Sequence, residues 1–131
     1  MYEEHFGLLN KPFSFSPDAS CFFTSKQHSL AVASMQYAML SSAGMVVISG
    51  ESGCGKTLLV RRIASNQDES VKMGFITNTH VDFGRVTPWI LSAFGLSASP
   101  TDEVEMQQVL RKFLDDMEAK EKRVVLVIDE A

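Results

Sequence analysis

The sequence has little of what several common kinds of function require. Two cysteines in 131 residues are too few for a disulfide framework, and neither they nor the three histidines show metal-ligand spacing. No apolar run is long enough to cross a membrane, and the acidic N-terminus differs from the basic start of a signal peptide. A net charge of −4 gives no support for a nucleic-acid partner. We therefore expect free thiols and a cytoplasmic, reducing location.

The most informative stretch runs from Met45 to Thr57. A predicted strand enters Gly50, and Gly55-Lys56-Thr57 follows after four residues, which completes the pattern G-x-x-x-x-G-K-[ST] ahead of a predicted helix. Phosphates need converging backbone N–H groups on a chain that can wrap closely, which favours glycine here. We predict that Lys56 reaches the β- and γ-phosphates and that Thr57 coordinates Mg²⁺. The predicted nucleotide-binding residues are Gly50, Glu51, Ser52, Gly53, Cys54, Gly55, Lys56, Thr57 and Leu58.

A second signal lies at the C-terminal end, in Arg123–Ala131. Its continuous apolar run predicts a strand buried on both faces, as in parallel sheets covered by helices. Asp129 at the end of this strand is a predicted Mg²⁺ ligand, and Glu130 is predicted to orient and deprotonate the attacking water. Strands often end in solvated acids, so the Asp-Glu pair alone is a weak signal. Together with the predicted phosphate-binding loop from Gly50 to Thr57, hereafter the phosphate loop, it is a strong one. The predicted catalytic residues are Glu130 and Lys56.

The remaining elements predict an α/β protein. Thr24 and Gln27 form a capping-box pattern ahead of a helix over residues 25–42, whose predicted inward stripe is Leu30, Ala33, Tyr37 and Leu40. Further predicted elements are a helix from Lys56 to Ser65, a strand from Val71 to Asn78, a helix from Asp82 to Phe94 that Gly95 stops, and a helix with Ser99 as N-cap. This order predicts a parallel sheet flanked by helices.

Residues 1–24 are rich in aromatic side chains and show no regular period. Such a segment must bury its apolar surface, so we expect it to pack as an arm against the main body. The arm and the following helix are candidates for one wall of an adenine pocket. Covering one face of the sheet is an equally good interpretation.

These features together resemble the general secretion pathway protein A (ExeA-type) AAA ATPases. The resemblance includes the opening Met1–Leu8, Pro12-Phe13, Ser16-Pro17-Asp18, His28 and Tyr37, besides the two nucleotide motifs. It implies that residues 1–131 are the N-terminal portion of one AAA-type ATPase domain, a P-loop NTPase fold, ending after the Walker B strand. Its parts would be the arm 1–24, the helix 25–42 and the nucleotide-binding core 44–131.

The resemblance also implies what such a protein does. We expect ATP and Mg²⁺ as cofactors, hydrolysis on the cytoplasmic side of a bacterial inner membrane, and a role in assembling secretion or pilus machinery. Self-association through the AAA domain and an inner-membrane secretion partner are implied as well. Such folds have a further strand between the one entering Gly50 and the one ending at Asp129. We therefore expect unpaired strand edges, weak nucleotide binding and almost no turnover from these residues alone.

Two other functions stay open. A nucleotide-dependent DNA-binding helper of transposition would need a basic surface, which this acidic stretch does not show. A nucleotide-gated scaffold would use ATP to set its oligomeric state, with hydrolysis incidental. A P-loop kinase fits less well, because an Asp-Glu pair suits activation of water better than transfer to a bound acceptor.

Overall fold

The computed structural model describes residues 2–9, 22–41, 44–77, 85–96 and 102–129, and these form an α/β unit. In chain order the elements are α1 (Tyr2–His5), α2 (Lys26–Ser41), α3 (Lys56–Ser65), β1 (Val71–Ile76), α4 (Thr87–Ala93), α5 (Glu103–Ala119) and β2 (Arg123–Ile128). Within these ranges no helix combines the length and the apolar character that crossing a bilayer requires.

The sheet consists of two parallel strands. β1 pairs with β2 in a register that places Val71 opposite Arg123 and Ile76 opposite Ile128. Parallel neighbours need a crossover connection, which α4 and α5 supply: α4 contacts β1, α5 contacts β2, and the two helices contact each other. The carboxyl ends of both strands therefore lie at one edge of the sheet, as the α/β prediction requires.

The core lies between this sheet and the crossover helices. Ile76 of β1, Leu91 of α4 and Met106 of α5 are buried, and the Phe94 ring packs against Phe113 at a centroid distance of 5.1 Å. Phe94 lies so close to β1 that a Cβ built at Gly74 would be 2.8 Å from its ring. Glycine at position 74 therefore allows the Phe94 ring to lie directly on the strand.

Helix ends agree with the sequence predictions in some places and not in others. Gly95 stops α4 as predicted: it has a φ of +71°, its N–H bonds to Ser92, and the N–H of Leu96 bonds to Leu91 in a Schellman arrangement. The predicted start of α5 is wrong, because the helix begins at Glu103 with Asp102 as N-cap.

The starts of the other two helices also differ. α4 begins at Thr87 and not at Asp82, a position that lies outside the described residues. The Ser25 hydroxyl accepts the backbone N–H of His28, so Ser25 caps α2 in place of Thr24. For α2, Thr24 and Ser25 could serve equally well by residue type, whereas α4 has Val86 as its N-cap and no side-chain cap.

The predicted inward stripe of α2 is wrong. Leu30, Tyr37 and Leu40 are exposed by 69%, 70% and 75%, and Ala33 is exposed as well. The half-buried side chains of the helix lie on another face: His28, Ala31, Val32, Met35, Ala38 and Met39. Apolar residues occur on all sides of α2, so hydrophobicity alone does not determine which face packs.

The segment entering Gly50 is not a strand, contrary to the prediction. Met45 and Val47 are exposed by 82% and 76%, and in the described part of the chain the sheet contains only β1 and β2. A strand requires hydrogen bonds to a neighbouring strand, and none of the described strands adjoins this segment. β2 is half-buried over Val124–Val127 and exposed at Ile128, so the prediction that it is buried on both faces is wrong.

Two shorter segments complete the description. Tyr2–His5 is helical, unlike the irregular arm that was predicted, and Phe6 and Phe23 are exposed by 70% and 84%. Residues 10–21, half of the predicted arm, lie outside the described ranges. Between α3 and β1 the hydroxyl and backbone N–H of Ser70 both donate to Asp68, which lowers the pKa of that exposed carboxyl.

We predict that Gly74→Ala destabilises the protein by about 1–3 kcal/mol, because the added methyl group overlaps the packed Phe94 ring. The midpoint of urea unfolding measures the effect. Gly44→Ala is the matched control, since a Cβ at Gly44 meets no atom within 4 Å. Equal unfolding midpoints for the two variants would contradict this account of the core.

Candidate functional site

The loop from Gly50 to Gly55 closes into a tight turn that favours glycine at three positions. A Cβ at Gly50 would lie 2.8 Å from the sulfur of Cys54, which itself is a free, exposed thiol. Gly53 and Gly55 have φ values of +79° and +90°, in the left-handed region. The backbone N–H of Cys54 donates to the carbonyl of Glu51 at 3.3 Å across the turn. The glycine pattern that predicted the loop thus has a structural reason at each position.

Lys56 begins α3 and its side chain folds back across the loop. Its ammonium Nζ donates to the carbonyl oxygens of Gly50 and Glu51, each at 2.8 Å, and lies 3.7 Å from the Cys54 sulfur. The cation therefore lies at the centre of the turn, within reach of any group that the loop surrounds. The first turn of α3 adds the positive end of the helix dipole at the same place.

Thr57 and Asp129 meet across the fold. Thr57 is the second residue of α3 and Asp129 directly follows β2, yet the Thr57 hydroxyl donates to Oδ2 of Asp129 at 2.7 Å. The backbone N–H of Asp129 donates to the carbonyl of Ile76 at 2.9 Å, which extends the β1–β2 ladder by one residue. The structure therefore brings together the two side chains that the sequence predicted as Mg²⁺ ligands, from opposite ends of the nucleotide-binding core.

The remaining predicted site residues differ in how exposed they are, and one of them lies outside the described part of the chain. Glu51 and Ser52 are exposed on the loop and Leu58 is half-buried in the first turn of α3. Glu130, the predicted water-activating residue, lies outside the described residues.

Sequence reasoning missed His28. Its position in the sequence shows no metal-ligand spacing and no role at the loop was predicted for it, but its Nε2 lies 2.9 Å from the carbonyl oxygen of Cys54 in the loop, and its Nδ1 lies 2.7 Å from the Ser25 hydroxyl. The spacing Ser25-x-x-His28 at a helix start was the available signal. It was not recognised because the N-cap was assigned to Thr24.

A cleft of about 390 Å³ opens between the start of α2 and the loop. On the α2 side it is lined by Gln27, His28 and Ala31. On the other side the lining residues are Ile48, Ser49, Gly50, Glu51, Cys54, Lys56 and Leu59. The α2 side of the cleft is thus formed by the helix that the sequence suggested as one wall of an adenine pocket.

Comparison with known proteins agrees with this geometry. A family model described as AAA domain matches residues 38–131, which include the loop, Thr57 and Asp129. General secretion pathway protein A of Aeromonas hydrophila is 29% identical over 132 residues, covering 100% of this chain and 24% of that protein. The chain thus spans about a quarter of the length of this relative. No solved structure matches the chain.

We predict that Thr57→Val lowers the free energy of unfolding by about 1–2 kcal/mol, because a half-buried carboxylate loses its hydroxyl donor. Thr57→Ser keeps the hydroxyl and should have a smaller effect. In an Asp129→Ala background the cost of Thr57→Val should shrink, since the partner is already gone. Urea unfolding of the unaltered protein, of Thr57→Val, of Asp129→Ala and of the double variant measures the coupling between the two residues. Strictly additive changes in the free energy of unfolding would show that the two residues do not interact.

Proposed function

Because the chain belongs to the AAA domain family, we propose that it binds ATP with Mg²⁺ and hydrolyses the ATP to ADP and phosphate. The observation that carries the proposal is the 2.7 Å contact between Thr57 and Asp129 beside the turn that Lys56 occupies. A cation and a hydroxyl from the first turn of α3 and a carboxylate that follows β2 lie together there. Phosphoryl transfer needs this combination, because its catalysis consists largely of positioning and charge stabilisation.

In this proposal the turn from Gly50 to Gly55 surrounds the phosphates. Lys56 exchanges its two carbonyl acceptors for phosphate oxygens, which are stronger partners because they carry negative charge. The backbone N–H groups of the loop and of the first turn of α3 provide the remaining donors, with Leu58 contributing through its backbone. These groups bind and orient the triphosphate.

The oxygen pair of Thr57 and Asp129 fits Mg²⁺, which prefers hard oxygen ligands. Among the described residues no three His, Cys, Asp or Glu side chains converge as a metal cage of their own. Mg²⁺ is suited to such a site, since it commonly takes one or two protein ligands and fills its shell with phosphate oxygens and water. The bound ion would neutralise charge on the phosphates.

Glu130 is the proposed general base. It directly follows the proposed metal ligand Asp129 in the sequence, and its carboxylate would take a proton from the water that attacks the γ-phosphate. The cleft beside α2 is the proposed place for the base and sugar, because it opens from the loop and is lined on the α2 side by Gln27 and Ala31.

The wider role that we propose is assistance in assembling bacterial secretion or pilus machinery, from the cytoplasmic side of the inner membrane. The name of the Aeromonas relative supports this role. Self-association through this domain is supported by the exposed apolar side chains of Leu30, Tyr37 and Leu40. A scaffold that ATP controls without needing hydrolysis is the second candidate, since the same contacts would bind nucleotide in either case.

We expect Lys56→Ala to weaken Mg-ATP binding about 10- to 100-fold, because it removes charge-assisted hydrogen bonds to the phosphates. Calorimetric titration of the purified chain with Mg-ATP measures the change. Lys72→Ala removes an exposed lysine of β1 and should leave the affinity unchanged. Absence of any binding by the unaltered chain would refute the proposed function.

We expect Glu130→Gln in the full-length protein to keep Mg-ATP affinity while slowing phosphate release at saturating nucleotide by about 100-fold or more, as loss of a general base does. Glu118→Gln, on the exposed side of α5, is the control of equal charge change. Loss of secretion or pilus assembly in the Glu130 variant favours an energy-coupled enzyme. Retention of that biological role favours the scaffold.

A further inference from the structure

The imidazole of His28 is fully hydrogen-bonded between α2 and the phosphate loop. A carbonyl oxygen only accepts, so Nε2 must carry a hydrogen and donate it to Cys54 at 2.9 Å. The Ser25 hydroxyl accepts the backbone N–H of His28 at 3.2 Å and is free to donate its own hydrogen to Nδ1 at 2.7 Å. The N-cap of α2 thus selects the tautomer that can bind the loop.

Ring contacts hold the same imidazole in place. The Phe22 ring meets His28 edge to face, with centroids 5.1 Å apart and an interplanar angle of 71°. The guanidinium of Arg62 lies over the same Phe22 ring, 5.1 Å from the ring centroid. Since Arg62 belongs to the last turn of α3, Phe22 connects the start of α2 with the helix that follows the loop.

The contact with Cys54 has a direct consequence for the loop. A trans peptide is planar, so its carbonyl and the following N–H point in opposite directions, and no described peptide bond is cis. Holding the Cys54 carbonyl toward His28 therefore turns the N–H of Gly55 away from His28. Gly55 has no Cβ to restrict its backbone, so a fixed orientation of this peptide limits the conformations available to it just before α3, where its φ is +90°.

We propose that His28 is a positioning residue for nucleotide binding: it sets the orientation of the Cys54–Gly55 peptide so that the Gly55 N–H is aimed at the phosphates. The inference rests on the proposed function of the loop. A donor that is already oriented need not be ordered when the ligand binds. The free energy of binding is then more favourable by what that ordering would have cost. Nucleotide affinity thereby depends on α2, although His28 itself need not touch the ligand.

The test compares His28→Ala with Ser29→Ala, a control on the exposed side of the same helix. We expect His28→Ala to weaken Mg-ATP binding about five- to tenfold by calorimetry, the effect of losing one hydrogen bond that orders the site. We also expect it to shift the ¹⁵N–¹H resonance of Gly55 in the protein without nucleotide, as Ser29→Ala should not. His28→Gln places an amide donor near the Cys54 carbonyl and should restore part of the affinity.

The outcomes separate this inference from the proposed function. If the unaltered chain does not bind Mg-ATP, the proposed function fails whatever His28 does. If it binds and His28→Ala matches Ser29→Ala in affinity and in the Gly55 resonance, the positioning role is refuted. Should His28→Ala fail to fold, Ser25→Ala removes the Nδ1 partner and leaves the imidazole in place. It should then give a smaller loss of affinity, and an unchanged affinity would refute the role.

Discussion

The hydrogen bond from Thr57 to Asp129 is the contact on which the site depends, and it requires most of the described fold. The two residues are 72 positions apart. Pairing of β1 with β2 determines where β2 ends, and the bond from Asp129 to Ile76 holds the acid at that edge. Leu59 and Ile63 of α3 are buried, and Thr57 lies in the first turn of the same helix. Without this packing the loop would be a glycine-rich turn with no acid beside it.

The phosphate loop is supported from two sides. Lys56 bonds to its carbonyls from within the turn, and His28 bonds to the Cys54 carbonyl from α2. A loop with two residues in the left-handed region would otherwise sample many conformations. Support of this kind would let backbone N–H groups act as a prepared anion site, which is the physical basis for proposing nucleotide binding and hydrolysis.

Much of the site could be predicted because its requirements are local. The glycine spacing, Lys56 at the helix start and the apolar run before Asp129 each determine a short piece of backbone, and α3 has the predicted ends. Predictions failed where several choices were locally equal. Thr24 and Ser25 are both good N-caps, and only the contact of Ser25 with His28 distinguishes them. The residues before Gly50 have strand composition, but strand structure requires a neighbour that the described sheet does not supply there.

By itself the sequence determined the glycine-rich turn with Lys56 at the start of the following helix, the parallel α/β order and the acid at the end of β2. These follow from backbone geometry within a few residues and from the period of apolar side chains. Only the tertiary structure decided which face of α2 packs inward, that His28 contacts the loop, and that Asp129 lies within 2.7 Å of Thr57. Helix α2 carries apolar residues on all of its sides, so the hydrophobicity of the sequence alone could not determine which face packs inward. Contacts between residues far apart in the chain made that choice.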